Sequence, residues 1–309
     1  MSVTNKNQSK VWTLFHEGGT PTSSGSDYLG QNVVFFQQLV TKLQGGRMLD
    51  IGTGNMPVPR LISELGVANL EIHAIDVANI KPQFICEGVA FRQESSEKTS
   101  FADGFFDLVT GSYALEYSNI ENSLKEICRV LKPGGRGGFI MHHPHSVVVK
   151  RMQLAHDNDI SLPVKLDALK VLEKFVEKPT GKNRRSLEAL VARLESMGKM
   201  NQYSMFRGVL DAMQMILKGY KQGEPVSPDA FNSWLKDALQ KIKGTEYRHR
   251  LMEAAIVHDE IAITTVLEGL KARILRFEPI ESEVNLGAGP GGEIQQGIIG
   301  WALVFERAE

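Results

Sequence analysis

"RMLDIGTGNMPVPRLISELG", residues 47–66, is the stretch that decides the fold. A short apolar run ends in Asp50, glycines follow at 52 and 54, and helical apolar spacing starts near Val58. A strand, a glycine loop and a helix in this order bring backbone N–H groups close to a ligand at the carboxyl edge of a sheet. A dinucleotide pyrophosphate asks for G-x-G-x-x-G. Here the third position is Pro57, with Pro59 two residues further on. Proline has no N–H to donate, so the loop suits a ligand without phosphate, and NAD is not expected to bind.

Working outward, short apolar strands alternate with helices. "RMLDIG" is followed by "LEIHAIDVA", "VAFRQES", "FFDLVTGS" and, after the turn "KPGG", "GGFIMHH"; "NSLKEICRVL" is the helix before the last of these. The alternation predicts a parallel sheet covered by helices on both faces. A helix carrying Val33, Phe36, Leu39 and Val40 precedes the series, and the aromatic "VWTLFHEGG" with the turn-rich "TPTSSGSDYLG" reads as a flap before it. From Lys150 to about Gly244 the period changes. "VKLDALKVLEKFVEK", "SLEALVARLESM", "MFRGVLDAMQMILKGY" and "DAFNSWLKDALQKIK" all repeat apolar residues at i, i+3, i+4, i+7. This is a helical insertion with a mild basic surplus. A helix near "EIAITTVLEGL" and two strands, "ILRFEPIESEV" and "GIIGWALVFER", close the chain. The glycine-rich "NLGAGPGGEIQQ" between them reads as a hairpin connection, so the last strand should run antiparallel. The expected division is 1–149 for flap and sheet core, 150–244 for the insertion, and 245–309 for the rest of the core.

The 309 residues are 42% apolar with a net charge of -1, which argues against a polyanion as the main partner. Cys86 and Cys128 are far apart and lack metal-ligand spacing. No apolar run reaches membrane-spanning length and the N-terminus lacks a signal core, so the expected compartment is the cytoplasm, with no membrane contact.

Four motifs together carry a resemblance: "LDIGTGN", the "AID" that ends the second strand, "SFADGFFDLV", and "EICRVLKPGGRGGFIM". In order and spacing, over about Leu43 to His145, they resemble class I S-adenosylmethionine-dependent methyltransferases. The resemblance implies an α/β, Rossmann-like sheet of seven strands with the last antiparallel, and S-adenosyl-L-methionine as cofactor. It implies that Asp50 orients the methionine ammonium, and that Gly52, Thr53, Gly54 and Asn55 pass under the methionine and ribose. Asp76 then accepts from the ribose hydroxyls, Val77 lies against the adenine, and Gly111 and Ser112 run beside the methionine. The family usually places an aspartate after the third strand to meet the adenine amino group. Here Ser95 holds that position, with Glu94 and Ser96 beside it. A serine hydroxyl still accepts, but more weakly.

Methyl transfer needs alignment, exclusion of water, and a base where the acceptor carries a proton. "MHHPHS" ends the fifth strand, and His143 or His145 is the expected general base or substrate donor; packing and turn roles for these histidines, or a metal site, are the alternatives. No metal is expected. Glu116 and Tyr117 in the turn after strand four read as structural. Trp12, Phe15, His16 and Tyr28 read mainly as packing in the flap, with closure over the cofactor, which the resemblance implies for such a lead-in segment, as the alternative. The insertion follows the fifth strand directly, which places it as a helical cap with Met205, Phe206, Met213, Met215, Trp234 and Tyr247 available as an apolar wall. A small or medium organic acceptor under that cap is the expected substrate. An RNA or protein methyltransferase, and a non-catalytic cofactor-binding regulator, are the rival readings. The insertion also offers a surface for a homodimer.

Overall fold

The computed structural model describes residues 5–17, 30–43, 45–157, 167–197, 204–285 and 294–309. The turn-rich part of the flap with Tyr28, the side chain of Met205 and most of the glycine-rich hairpin connection lie outside the described residues.

The glycine loop sits where the sequence places it. Strand β1 (Gly46–Ile51) lies third in a seven-stranded sheet, beside the central strand, and helix α3 (Pro57–Glu64) leaves the loop. Pro57 is the first helical residue, where its missing N–H would be unpaired in any case. The sheet order is β3-β2-β1-β4-β5-β7-β6, with β2 Leu70–Asp76, β3 Val89–Gln93, β4 Phe106–Ser112, β5 Leu131–Met141, β6 Arg273–Asn285 and β7 Ile294–Glu306. β1 to β5 pair in parallel, and β7 enters antiparallel between β5 and β6. The order reverses at β1, so β1 and β4 diverge to opposite sides and open a crevice at their carboxyl ends.

β5 begins earlier than the pattern suggests. It takes in "KPGG", with Gly134 in the left-handed region at φ 72°, and its pairing with β4 shifts register between Phe106 and Leu108. A bulge here absorbs the glycine pair within the strand. Helix α5 (Val147–Ala155) follows β5 after a short turn.

One apolar layer holds Phe106, Phe139, Leu303 and Phe305 against α4 (Ile120–Val130) and α10 (Ile261–Gly269). The other packs Phe36, Met48, Ile62 and Ala302, with α2 (Gln31–Val40) and α3 supplying the cover. The amphipathic spacing of α4 buries Leu124, Ile127 and Val130, and Asn119 caps the helix by accepting from Asn122 N at 3.0 Å.

The chain divides into two units, residues 1–149 with 251–309, and residues 150–250. The described residues of the second from 167 on are mainly helical, with α6 (Ala168–Glu177), α7 (Gly181–Ser196), α8 (Ser204–Lys221) and most of α9 (Pro228–Ala255). Leu172, Phe175, Leu187, Phe206, Met213 and Phe231 form its own core. Met215 is 66% exposed, so it belongs to no wall within this core. The boundary expected at about Gly244 falls inside a helix. α9 runs unbroken through it to Ala255, because the roughly 1 kcal/mol cost of a helical glycine is small beside burial of Leu251 and Met252 in the following turns. Among the described residues no helix is long and apolar enough to cross a membrane.

Candidate functional site

The cleft is built on the loop after β1. Gly52 and Gly54 both take left-handed backbone, φ 58° and 51°. Thr53 N–H donates to Ile75 O at 3.0 Å, tying the loop to β2. A Cβ on Gly52 would stand 2.4 Å from Ala114 Cβ, and one on Gly54 would stand 2.7 Å from His16 Cε1. Gly52 therefore has no room for a side chain, and one at Gly54 would have to displace the His16 ring and hold a left-handed backbone.

Two acids from adjacent strand ends reach the cleft. Asp50 is almost wholly buried and accepts from Thr110 Oγ1 at 3.1 Å. Burial pushes its carboxyl up to about 7, against the lowering effect of the Thr53 and Thr110 hydroxyls. Asp76 accepts from Gly54 N–H and Ala78 N–H, both at 2.8 Å. Burial raises its carboxyl too, while His16 and those amides pull the other way. A carboxylate offers about four acceptor positions, so Asp76 keeps capacity for further donors.

Of the residues expected to hold a cofactor, Asp50, Gly52, Thr53, Gly54, Asp76, Val77, Ser95, Ser96 and Ser112 line one cleft. Val77 O accepts from Ser9 Oγ at 2.7 Å, and Ser95 Oγ accepts from Glu97 N at 3.2 Å. Two expected residues lie beneath the floor instead. Asn55 is buried with Nδ2 donating to His16 O at 3.2 Å. Gly111 is a packing glycine: a Cβ there would stand 2.9 Å from Ile51 Cγ1 and 3.2 Å from the Phe139 ring.

His143 and His145 are not in the cleft lining. The His143 ring packs 4.5 Å from Trp301, and its Nδ1 accepts from His145 N at 3.0 Å. The cleft gains residues read mainly as structural in the sequence, Trp12, Phe15 and His16 of α1 (Asn5–His16) and Tyr117 after β4, and also Tyr113, which the sequence does not single out. Tyr113 holds a left-handed φ of 51°, a conformation that costs energy for a bulky residue and that alternating apolar spacing does not reveal.

The cleft fits S-adenosylmethionine on its own geometry. Its glycine cradle excludes side chains, its two acids suit an ammonium and a vicinal diol, and Ser112 Oγ is buried there with no hydrogen-bond partner among the described residues.

Residues 49–139 match the family model described as "Methyltransferase domain". Relatives include the ubiquinone/menaquinone biosynthesis C-methyltransferase UbiE of Stutzerimonas stutzeri (strain A1501), 35% identical over 41% of this chain and 56% of that protein. The UbiE protein of Azotobacter vinelandii (strain DJ / ATCC BAA-1303) is 34% identical over 30% of this chain and 41% of its own length. The chain thus spans about half the length of these curated relatives. A solved structure described as "Conversion of a Disulfide Bond into a Thioacetal Group during Echinomycin Biosynthesis" covers 97% of this chain and 92% of its own at 11% identity, with a TM-score of 0.51. That likeness extends the shared fold beyond the matched segment. The chain carries a methyltransferase domain of the class I, S-adenosylmethionine-dependent type.

Proposed function

We propose that this protein transfers a methyl group from S-adenosylmethionine to a small organic acceptor. The observation that carries the reading is the single cleft formed by Asp50, the Gly52–Gly54 loop, Asp76 and Ser112. In it Asp50 would meet the methionine ammonium, Asp76 the ribose hydroxyls, Val77 the adenine face, and the Ser95 hydroxyl the adenine edge. The bound cofactor supplies an electrophilic methyl; the protein supplies alignment and a dry site. The aromatic rings of Trp12, Phe15, Tyr113 and Tyr117 suit an organic acceptor better than a solvated polymer. The C-methyltransferase relatives support a small-molecule acceptor.

A base role for His143 or His145 finds no support in the lining of the cleft.

The test is release of S-adenosylhomocysteine when the protein and S-adenosylmethionine are offered a panel of small phenols, enols, amines and carboxylates. Turnover with a panel member supports the reading. Tight cofactor binding with no release from the panel or from a metabolite extract would favour a non-catalytic binding protein, and release that requires RNA would favour the polymer-modifying alternative.

The ribose assignment has its own test. Asp76→Ala weakens S-adenosylmethionine binding by about 1.5–3 kcal/mol, the scale of charged hydrogen bonds lost to a diol. Since Asp76 also accepts from two loop amides, Asp76→Asn serves as the variant that retains an acceptor oxygen for one of them. Calorimetric titration giving wild-type affinity for both variants removes the assignment.

A further inference from the structure

The turn after β4 and the end of β5 meet in a buried polar unit. Tyr117 Oη lies 3.0 Å from His142 Nε2, and Tyr117 lines the cleft. His142 is fully buried and locked from every side. Its ring stacks on Tyr113 with centroids 4.7 Å apart and planes 25° from parallel. Its backbone N–H donates to Glu116 Oε1 at 2.8 Å, and its backbone carbonyl accepts from Val257 N at 3.1 Å. Tyr113 is itself fixed, with its hydroxyl donating to Ile299 O at 2.8 Å. Trp12 packs edge-on against Tyr117 at 5.1 Å.

The His142 tautomer follows from its second nitrogen. Nδ1 is buried with no hydrogen-bond partner among the described residues. A buried N–H left unpaired is much rarer than an under-used acceptor, so Nδ1 carries the lone pair and Nε2 carries the proton. Nε2–H then donates to Tyr117 Oη. The tyrosine hydroxyl hydrogen cannot point back at that donor and turns away from it. Burial holds the His142 imidazole far below its usual range, at about 3, and holds the Tyr117 phenol well above its own. Both groups are therefore neutral at pH 7, and the hydroxyl is a donor with no charge of its own.

We propose that Tyr117 is a hydrogen-bond donor delivered into the cleft by His142, and that it positions an oxygen of the methyl acceptor, such as a carbonyl, enol or hydroxyl oxygen. This rests on the methyl-transfer reading above. Tyr117 makes the contact with substrate. His142 is a positioning residue that acts through it.

The first arm of the test uses no acceptor. Nitrogen-15 NMR of the histidine-labelled protein at pH 7 is expected to show His142 neutral with Nε2 protonated, and Tyr117→Phe is expected to shift the Nε2 signal while leaving the tautomer unchanged. An Nδ1-protonated or doubly protonated His142 overturns the proposal. The second arm uses the panel compounds that release S-adenosylhomocysteine. Tyr117→Phe is expected to lower kcat/KM for an oxygen-bearing acceptor about 10- to 100-fold while calorimetric affinity for S-adenosylmethionine stays within twofold. His142→Gln, whose amide nitrogen donates from a similar place, should keep most of the rate, and His142→Leu should behave like Tyr117→Phe. Unchanged turnover in Tyr117→Phe, or a loss of more than tenfold in cofactor affinity, overturns the acceptor assignment. A wild-type protein that binds no S-adenosylmethionine sinks the methyl-transfer reading instead, while the first arm still decides the His142–Tyr117 donation.

Discussion

Gly52→Val removes measurable S-adenosylmethionine binding, a loss of more than about a hundredfold, and lowers the stability of the free protein by about 2–5 kcal/mol. Left-handed backbone at φ 58° costs a non-glycine residue about 1–2 kcal/mol. The new side chain also starts 2.4 Å from Ala114 Cβ, an overlap of the kind that costs a packed site about 1–3 kcal/mol more. Relief requires Ala114 to move, and Ala114 is itself in the cleft lining beside Ser112 and Tyr113. Binding therefore suffers with stability. Gly134→Ala is the control. Gly134 shares the left-handed region at φ 72°, but a methyl added there would meet nothing within 4 Å, so only the backbone cost of about 1 kcal/mol should appear. Thermal melts and calorimetric titrations on both variants check this. Wild-type cofactor affinity in Gly52→Val would show that the loop does not approach the ligand.

The ligand-free protein loses several kcal/mol of stability as pH rises from 5 to 8. Asp50 in the folded state titrates near 7 and Glu116 near 8, both because burial penalises the carboxylate. Unfolded carboxyls titrate near 4. Between those limits the unfolded state has already released protons that the folded state still holds, so each pH unit costs about 1.4 kcal/mol per group. The buried neutral His142, at about 3, works the other way only below about pH 6.5. Glu116 Oε2, buried with no hydrogen-bond partner among the described residues, is a natural place for such a proton. Carboxyls held low by partners, such as Glu126 at about 2 beside Arg129 and Thr99, contribute stability that disappears only below about pH 4.5 and leave this window alone. Asp50→Asn and Glu116→Gln should therefore flatten the pH dependence of the melting temperature between pH 5 and 8, and should melt above wild type at pH 8. A wild-type melting temperature that holds level across that range would mean that these carboxyls ionise freely in the fold. Asp50 also links pH to ligand. A cation beside it favours the carboxylate, so S-adenosylmethionine affinity should rise roughly tenfold from pH 5.5 to 7, and Asp50→Asn should lack that rise.

Features encoded in contiguous residues are legible in the chain without its fold. Asp50, Gly52, Thr53, Gly54 and Pro57 lie on one short strand, turn and helix start, so chain stereochemistry alone brings them to one edge. Asp76 was legible because it ends a strand whose apolar run stops there, and parallel pairing puts that end beside the loop. The antiparallel last strand could be read from the two apolar runs flanking a glycine-rich connection. Tertiary structure decided which polar residues share a space. Side chains at a strand's end point to opposite faces in turn, so His142 stacks on Tyr113 while His143 packs on Trp301, a choice that "MHHPHS" does not reveal. Tyr117 reaches His142 only because β4 and β5 pair with Ser112 opposite Ile140, which brings turns from separate parts of the chain together. Asn55 and Gly111 went below the floor for the same kind of reason: whether a loop residue faces ligand or core depends on what packs behind it. Gly244 stayed helical because the apolar turns after it are buried, and burial over those turns outweighs one residue's local preference.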